Sequence, residues 1–326
     1  MNPCKVSVCI PTYNCGTYIA EAIESVLTQS FSDFELVIVD NASNDQTSSI
    51  VESYAKQDPR IKFSINKVNI GMVENWNRCL TIAKGEYIKF VFADDLLASP
   101  NALAQMITLL DSDTSISLVG SSRNVINEFS QNTGIVSHFK TGIMTGTNVI
   151  IRCLLELNNF IGEPSVVMFR KKQAGRGFKT NYQQIVDLEM WFHLLEQGSF
   201  AFINEPLCSF RIHGQQQTVK NKKSHSHLKD FVYLLDDYLH KDYVLLSSFM
   251  KRYLQYDTLY GFWKLYKKNI ITRNVALELI NTNRSFSFFA WYPFYKLLKP
   301  FYKLFKSQLK QNNIYIPSIQ HNSDSE

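Results

Sequence analysis

The chain has 326 residues, 45% hydrophobic and 19% charged, enough to bury one large core or two modest ones without disulfides or metals. Its six cysteines (Cys4, Cys9, Cys15, Cys79, Cys153, Cys208) form no C-x-x-C pair, which removes the basis for a structural zinc site and favours a reduced, cytosolic setting. The formal charge of +5 is local: Arg284 to Lys310 holds six Lys/Arg and no Asp/Glu, and without those six the chain stands at −1, so a nucleic-acid partner is not expected. After Met1 a polar lead runs into an apolar strand at Val6 to Ile10, which predicts no signal peptide. No segment offers the roughly 20 uninterrupted apolar residues of a spanning helix.

In chain order, Lys5 to Ile10, Phe34 to Asp40, Arg60 to Ile65 and Tyr87 to Phe92 read as strands. Helical patterns lie between them at Ile19 to Thr28, Thr47 to Gln57 and Gly71 to Ala83. This alternation predicts an α/β fold, a doubly wound and mostly parallel sheet with helices on both faces and ligands at the carboxyl ends of the strands. Pro11-Thr12-Tyr13-Asn14, Asp40-Asn41 and Asp94-Asp95 follow or end three of those strands, so three distant segments should share one crevice. Further on, a helix is expected near Ala102 to Asp111, a strand near Ile116 to Gly120 and a helix around Asn148 to Leu157. Asp187 to Gly198 is a strong helical pattern, His213 to His227 a polar loop or linker, and Leu228 to Ile280 helical and rich in Tyr.

Adjacent carboxylates repel unless a cation or strong donors compensate, so Asp94 and Asp95 suit a divalent metal that itself holds a diphosphate. The plainer reading makes one a helix cap and leaves the other solvated. Asp40 could accept from a base or a ribose, or serve the turn chemistry of "DNASNDQT"; Tyr13 could stack on a nucleobase or pack at the sheet edge. At 100° per residue Asp187 shares a helix face with Met190, Trp191 and Leu194, whereas Glu189 falls with His193 and Glu196. Asp187 is therefore expected inward and Glu189 outward, which makes Asp187 either an N-cap or a partly dry carboxylate suited to general-base work. Arg211 and His213 alternate along an extended segment and could meet a diphosphate or line a strand's solvent face.

From Pro293 to Lys310, lysines recur at steps of three and four opposite Leu297, Leu298, Phe301, Leu304 and Phe305. The pattern fits a helix in an anionic membrane interface, or one docked on the protein's own core.

Together these residues resemble the inverting family-two glycosyltransferases, whose nucleotide-binding half has the GT-A fold. The likeness covers about the first 215 residues and rests on "VSVCIPTYNCGTYIAEAIESVLTQSFSDFELVIVDNASNDQT", "NIGMVENWNRCLTIAKGEYIKFVFADD", "VDLEMWFHLLEQG" and "EPLCSFRIHG" in order. The resemblance implies a GT-A-like catalytic domain over residues 1–220, its nucleotide half about 1–100 and its acceptor half about 101–220. A helical extension (221–283) and a basic membrane-associating segment with a tail (284–326) follow. Pro11, Thr12, Tyr13, Asp40, Asn69, Gly71, Asn77 and Asp94 are implied at the nucleotide, Asp94 and Asp95 at a manganese or magnesium ion, and Asp187 as catalytic base. Arg211, His213, Glu163 (from "IGEPSVVMFRK") and Trp191 are implied on the diphosphate or acceptor side.

Two acids common in the family are replaced, by Phe92 in the acidic motif and by Val186 before the base. The expected activity is metal-dependent transfer from a nucleotide sugar, a UDP-sugar, to a hydroxyl of a lipid-linked glycan or polysaccharide in bacterial surface polysaccharide synthesis. It would take place at the inner face of the cell membrane. The alternative is a catalytically degenerate member of the fold that binds nucleotide sugar or a partner. Oligomeric state stays open.

Overall fold

The computed structural model describes residues 4–214, 216, 227–281 and 297–302. Most of the basic segment Arg284 to Lys310, and most of the polar run after His213, lie outside the described residues.

The sheet grows from the strands β1 (Val6–Thr12), β2 (Phe34–Asp40), β3 (Ile61–Ile65) and β4 (Tyr87–Phe90), joined by α1 (Ile19–Leu27), α2 (Thr47–Ala55) and α3 (Met72–Ile82). They pair in parallel in the order β3-β2-β1-β4. Every residue of β1, β2 and β4 is buried, so both faces of this half are covered, which is why these segments read as continuous apolar runs. α1 covers the sheet with Ile19, Ala22, Ile23 and Val26, spaced as one helical face.

The second half adds β5 (Leu96–Leu97), α4 (Ala102–Ser112), β6 (Ile116–Ile126), β7 (Asn132–Val136), β8 (Gly142–Met144), α5 (Gly146–Glu156), β9 (Val167–Arg170), α6 (Val186–Leu195) and β10 (Ser199–Arg211). The sheet continues β4-β9-β6-β10-β5, with β9 antiparallel to its two neighbours and β10 parallel to β6. β10 is the element that sequence reading left undecided. Its register slips on both sides of Pro206, which lacks an N–H for the ladder, and the bulged strand keeps pairing up to Arg211. Antiparallel pairing of Cys208 and Ser209 with Leu97 and Leu96 then sets the end of β10 beside Asp94 and Asp95.

Three helices follow: α7 (His227–Tyr238), α8 (Ser248–Lys267) and α9 (Arg273–Asn281). Val232, Leu235, Tyr238, Leu254, Leu259 and Ala276 belong to the same buried cluster as the sheet, so this region is continuous with the sheet's core. Among the described residues no helix is long and apolar enough to cross a membrane.

Candidate active site

At the carboxyl ends of β1, β2 and β4 the chain leaves a cleft of about 1090 Å³. Its floor comes from loops that knit to each other through short polar side chains. The Asn14 N–H donates to Ser43 Oγ (2.8 Å), the Cys15 N–H to Thr47 Oγ1 (2.8 Å) and the Gly16 N–H to Asp45 (2.9 Å). Asn41 Nδ2 donates to Asn69 Oδ1 (2.9 Å), which also accepts from the Gly71 N–H. Gly71 has φ +88°, a left-handed position that glycine tolerates, and this turn leads the chain into α3.

Asp94 and Asp95 lie in the turn between β4 and β5 and point different ways. Asp94 lines the cleft, and its Oδ2 lies 2.9 Å from His213 Nε2, delivered by the end of β10. Asp95 points the other way and is fully buried: Oδ1 accepts from the Arg211 N–H (2.9 Å) and Oδ2 from the Ser165 hydroxyl (2.5 Å). Burial, then the charge of Asp94, pushes the Asp95 carboxyl well above its ordinary value. Lys89, in the middle of β4, is also buried; its ammonium donates to the carbonyls of Ser165 and Phe90 and lies near Cys208 Sγ, and burial lowers its pKa. Ser165 thus ties the acidic motif to the segment that follows α5.

That segment also packs against Asp187. Asp187 sits in the first turn of α6, with Oδ1 accepting from the Leu188 N–H (2.8 Å) and Oδ2 from Asn159 Nδ2 (3.1 Å). Burial, with a further push from Glu163, raises its pKa to about 7 against the lowering effect of the Leu188 N–H and of Asn159. Glu163 lines the same wall, ion-paired with Arg123 at 2.8 Å. The lining includes four carboxylates, Glu74, Asp94, Glu163 and Asp187, and among the described residues no Lys or Arg.

The family model described as "Glycosyl transferase family 2" matches residues 7–175, just over half of the chain. The chain belongs to glycosyl transferase family 2. An uncharacterized glycosyltransferase of Haemophilus influenzae is 30% identical over 219 residues, 65% of this chain and 66% of that protein. The putative teichuronic acid biosynthesis glycosyltransferase TuaG of Bacillus subtilis is 30% identical over 213 residues, 64% of this chain and 79% of that protein. Among solved structures, S. aureus TarS 1–349 in complex with UDP-GlcNAc superposes with a TM-score of 0.64 at 19% identity, covering 85% of this chain and 81% of that one. This last likeness bears on the fold, and the fold is GT-A-like.

The structure brings Pro11, Thr12, Tyr13, Asn69, Gly71, Asp94, Glu163, Asp187 and His213 to the family 2 cleft. Thr12 Oγ1 is buried there without a hydrogen-bond partner, and Tyr13 is exposed. Six expectations need correction. Asp40 is withdrawn from the cleft because Ser43 (2.5 Å) and Ser48 hydroxyls occupy its two oxygens. Asp95 is buried beneath Asp94 and presents no oxygen to a metal. Asn77 closes a reciprocal pair with the Phe178 backbone (2.7 and 3.0 Å) and so anchors a loop. Arg211 is fully buried: it donates to the Asp94 carbonyl (2.7 Å), Ser130 (2.8 Å) and Glu21 (3.0 Å) and stacks over Tyr18, which makes it a brace for the motif. Trp191 is buried among Phe169 and Phe178, its indole N–H on the Gly162 carbonyl (3.0 Å), so it supports the Glu163 turn from behind. Glu189, expected outward, is buried with Arg176, Lys179 and Tyr238 as partners, because α7 covers that face of α6.

Sequence reading placed Asn41 at the crevice but missed Asn75, Tyr18 and Asn159. Asn41 and Asn75 belong to the asparagine network under the floor; Asn75 accepts from Asn66 (2.8 Å) and donates to the Val39 carbonyl (3.1 Å). The turn formers around Asn158-Asn159 and Gly162 were the available signal for Asn159. Phe92, where the family often keeps an acid, lays its ring on Trp76 at 5.0 Å and gives the cleft an aromatic wall.

Proposed function

We propose that this family 2 chain transfers a sugar, with inversion, from a UDP-sugar to a hydroxyl of a membrane-associated glycan acceptor. The observation that carries it is the meeting of two groups in the lining of one cleft: a buried carboxylate with a pKa raised to about 7, and the Asp94–His213 pair. Asp187 takes the proton of the acceptor hydroxyl as that oxygen bonds to the anomeric carbon. The bond from that carbon to the diphosphate breaks on the opposite side, so a single displacement inverts the centre.

The Asp94 carboxylate suits manganese or magnesium, the imidazole beside it fits the transition metal better than magnesium, and Asp94 keeps part of its surface open to the cleft. Among the described residues no group of three His, Cys, Asp or Glu is placed to hold a metal. Asp94, with His213 beside it, would hold the ion. When bound, the ion supplies positive charge to the departing diphosphate. The lining itself argues for it, since a diphosphate entering among four carboxylates, with no Lys or Arg among the described lining residues, needs compensation. Tyr13 offers a ring to the base, and Thr12 and the Asn41–Asn69–Gly71 turn offer polar groups to the nucleoside.

The UDP assignment is supported by the complex of TarS with UDP-GlcNAc, and the acceptor class by the teichuronic acid role in TuaG's name. A thermal-shift panel of UDP-, GDP- and dTDP-sugars, with and without manganese, tests the donor. UDP-sugars should raise Tm most and only with the metal; a larger shift with GDP-sugars would overturn the assignment. The basic, aromatic stretch Arg284 to Lys310 would hold the enzyme on the anionic cytoplasmic leaflet. Deleting residues 284–326 should abolish co-sedimentation with anionic vesicles, and undiminished binding would contradict this.

A further inference from the structure

The family model ends at residue 175, before both Asp187 and the helix that carries it. α6 starts without a side-chain cap of its own, since Ile185 at its N-cap has no polar side chain. The free N–H groups ahead of it are nonetheless satisfied. Oδ2 of Asp230, one carboxylate oxygen, accepts from the backbone N–H groups of Gln183 (2.9 Å), Gln184 (2.6 Å) and Ile185 (3.2 Å). Asp230 is 1% exposed and lies in the first turn of α7. A buried anion on three converging amides is a strong, charge-assisted arrangement, and it sits at the positive end of the α6 dipole.

The capped turn bears directly on the cleft. Tyr182, Gln183 and Gln184 line it, and Asp187 stands two residues beyond Ile185. The same helix α7 holds the approach to this turn: Asp237 accepts from Lys179 (2.8 Å) and from the Tyr182 hydroxyl (3.0 Å). The region outside the matched family segment therefore closes the acceptor side of the site.

We infer that Asp230 is a positioning residue for Asp187: from a distant helix it anchors the turn that leads into α6 and fixes where the base carboxylate stands, so the C-terminal helices complete the active site. The inference rests on reading Asp187 as the base. The test uses the full chain, manganese and the UDP-sugar that stabilises it most, with UDP release as the readout. Asp230→Ala should lower kcat at least tenfold while the donor's KM stays within twofold, because the nucleotide floor is built from other segments. Asp230→Asn, which keeps one acceptor oxygen, should recover part of the rate, and amide exchange over residues 6–12 should match the parent in both variants. A kcat within twofold of the parent for Asp230→Ala would overturn the inference. So would kcat, KM and Tm failing together equally in both variants, which would mark a merely structural role. If Asp187→Asn keeps the parental rate, the base reading fails; if Asp187→Asn is inactive and Asp230→Ala is normal, only the positioning role fails.

Discussion

Asp187→Asn is expected to lower sugar transfer by roughly 10²- to 10⁴-fold, the range of a lost general base, while UDP and manganese still bind. The amide matches the carboxylate in size and keeps one oxygen for the Leu188 N–H, while its NH2 group meets Asn159 Nδ2 with no acceptor between them, so proton transfer is lost together with one hydrogen bond. The parent's own profile checks the same assignment. With a pKa raised to about 7, Asp187 is a base only above that value, so kcat should fall about tenfold per unit as pH drops below 7. A carboxyl whose folded-state pKa lies above its unfolded value binds more protons when folded. Its stabilising effect is complete below the unfolded value near 4 and is lost as pH rises through about 7. Asp187→Asn should therefore raise Tm at pH 8, where the parent holds an ionised carboxylate against its burial. Transfer assays and melting curves across pH 5–9 measure both, and an inactive variant that melts lower at pH 8 would contradict the buried-base picture.

Asp94→Ala has the second large effect. Asp94 is the acidic-motif residue whose carboxylate faces the cleft, and His213 is its neighbour there. Removing it leaves the diphosphate among the remaining acids without compensation, a loss of roughly 3–4 kcal/mol in the transition state or at least a hundredfold in kcat. Asp95→Asn should act differently. Its carboxyl is a buried brace for Arg211 and Ser165, so the change should appear in Tm before it appears in metal dependence. Equal loss of manganese dependence in both variants would show that the two residues share the ion.

The strand ends were the part of the site most open to sequence reading, because continuous apolar runs alternating with helical patterns place them without knowledge of distant contacts. The hidden part depended on pairing. Asp94 and Asp95 look equivalent in sequence, and only the β5–β10 pairing turns one to the cleft and the other into the core. The same pairing separates Arg211, turned inward under Tyr18, from His213 at the rim. Helical periodicity placed Asp187 on the inner face of α6 but sent Glu189 outward. It had no knowledge of α7, which covers that face and supplies Tyr238 to Glu189 and Asp230 to the turn before Asp187. Asp40 shows the same limit: two local serines claim a carboxylate that its strand-end position offered to the ligand.

The central claim is that nucleotide and metal occupy this cleft together, each completing the site of the other. Calorimetric titration of the full chain with UDP, in the presence and absence of manganese, and with manganese in the presence and absence of UDP, tests it most directly. The expected result is weak binding of each alone and a reciprocal gain of at least tenfold for each in the presence of the other, as linkage requires. Equal UDP affinity with and without manganese would contradict the account.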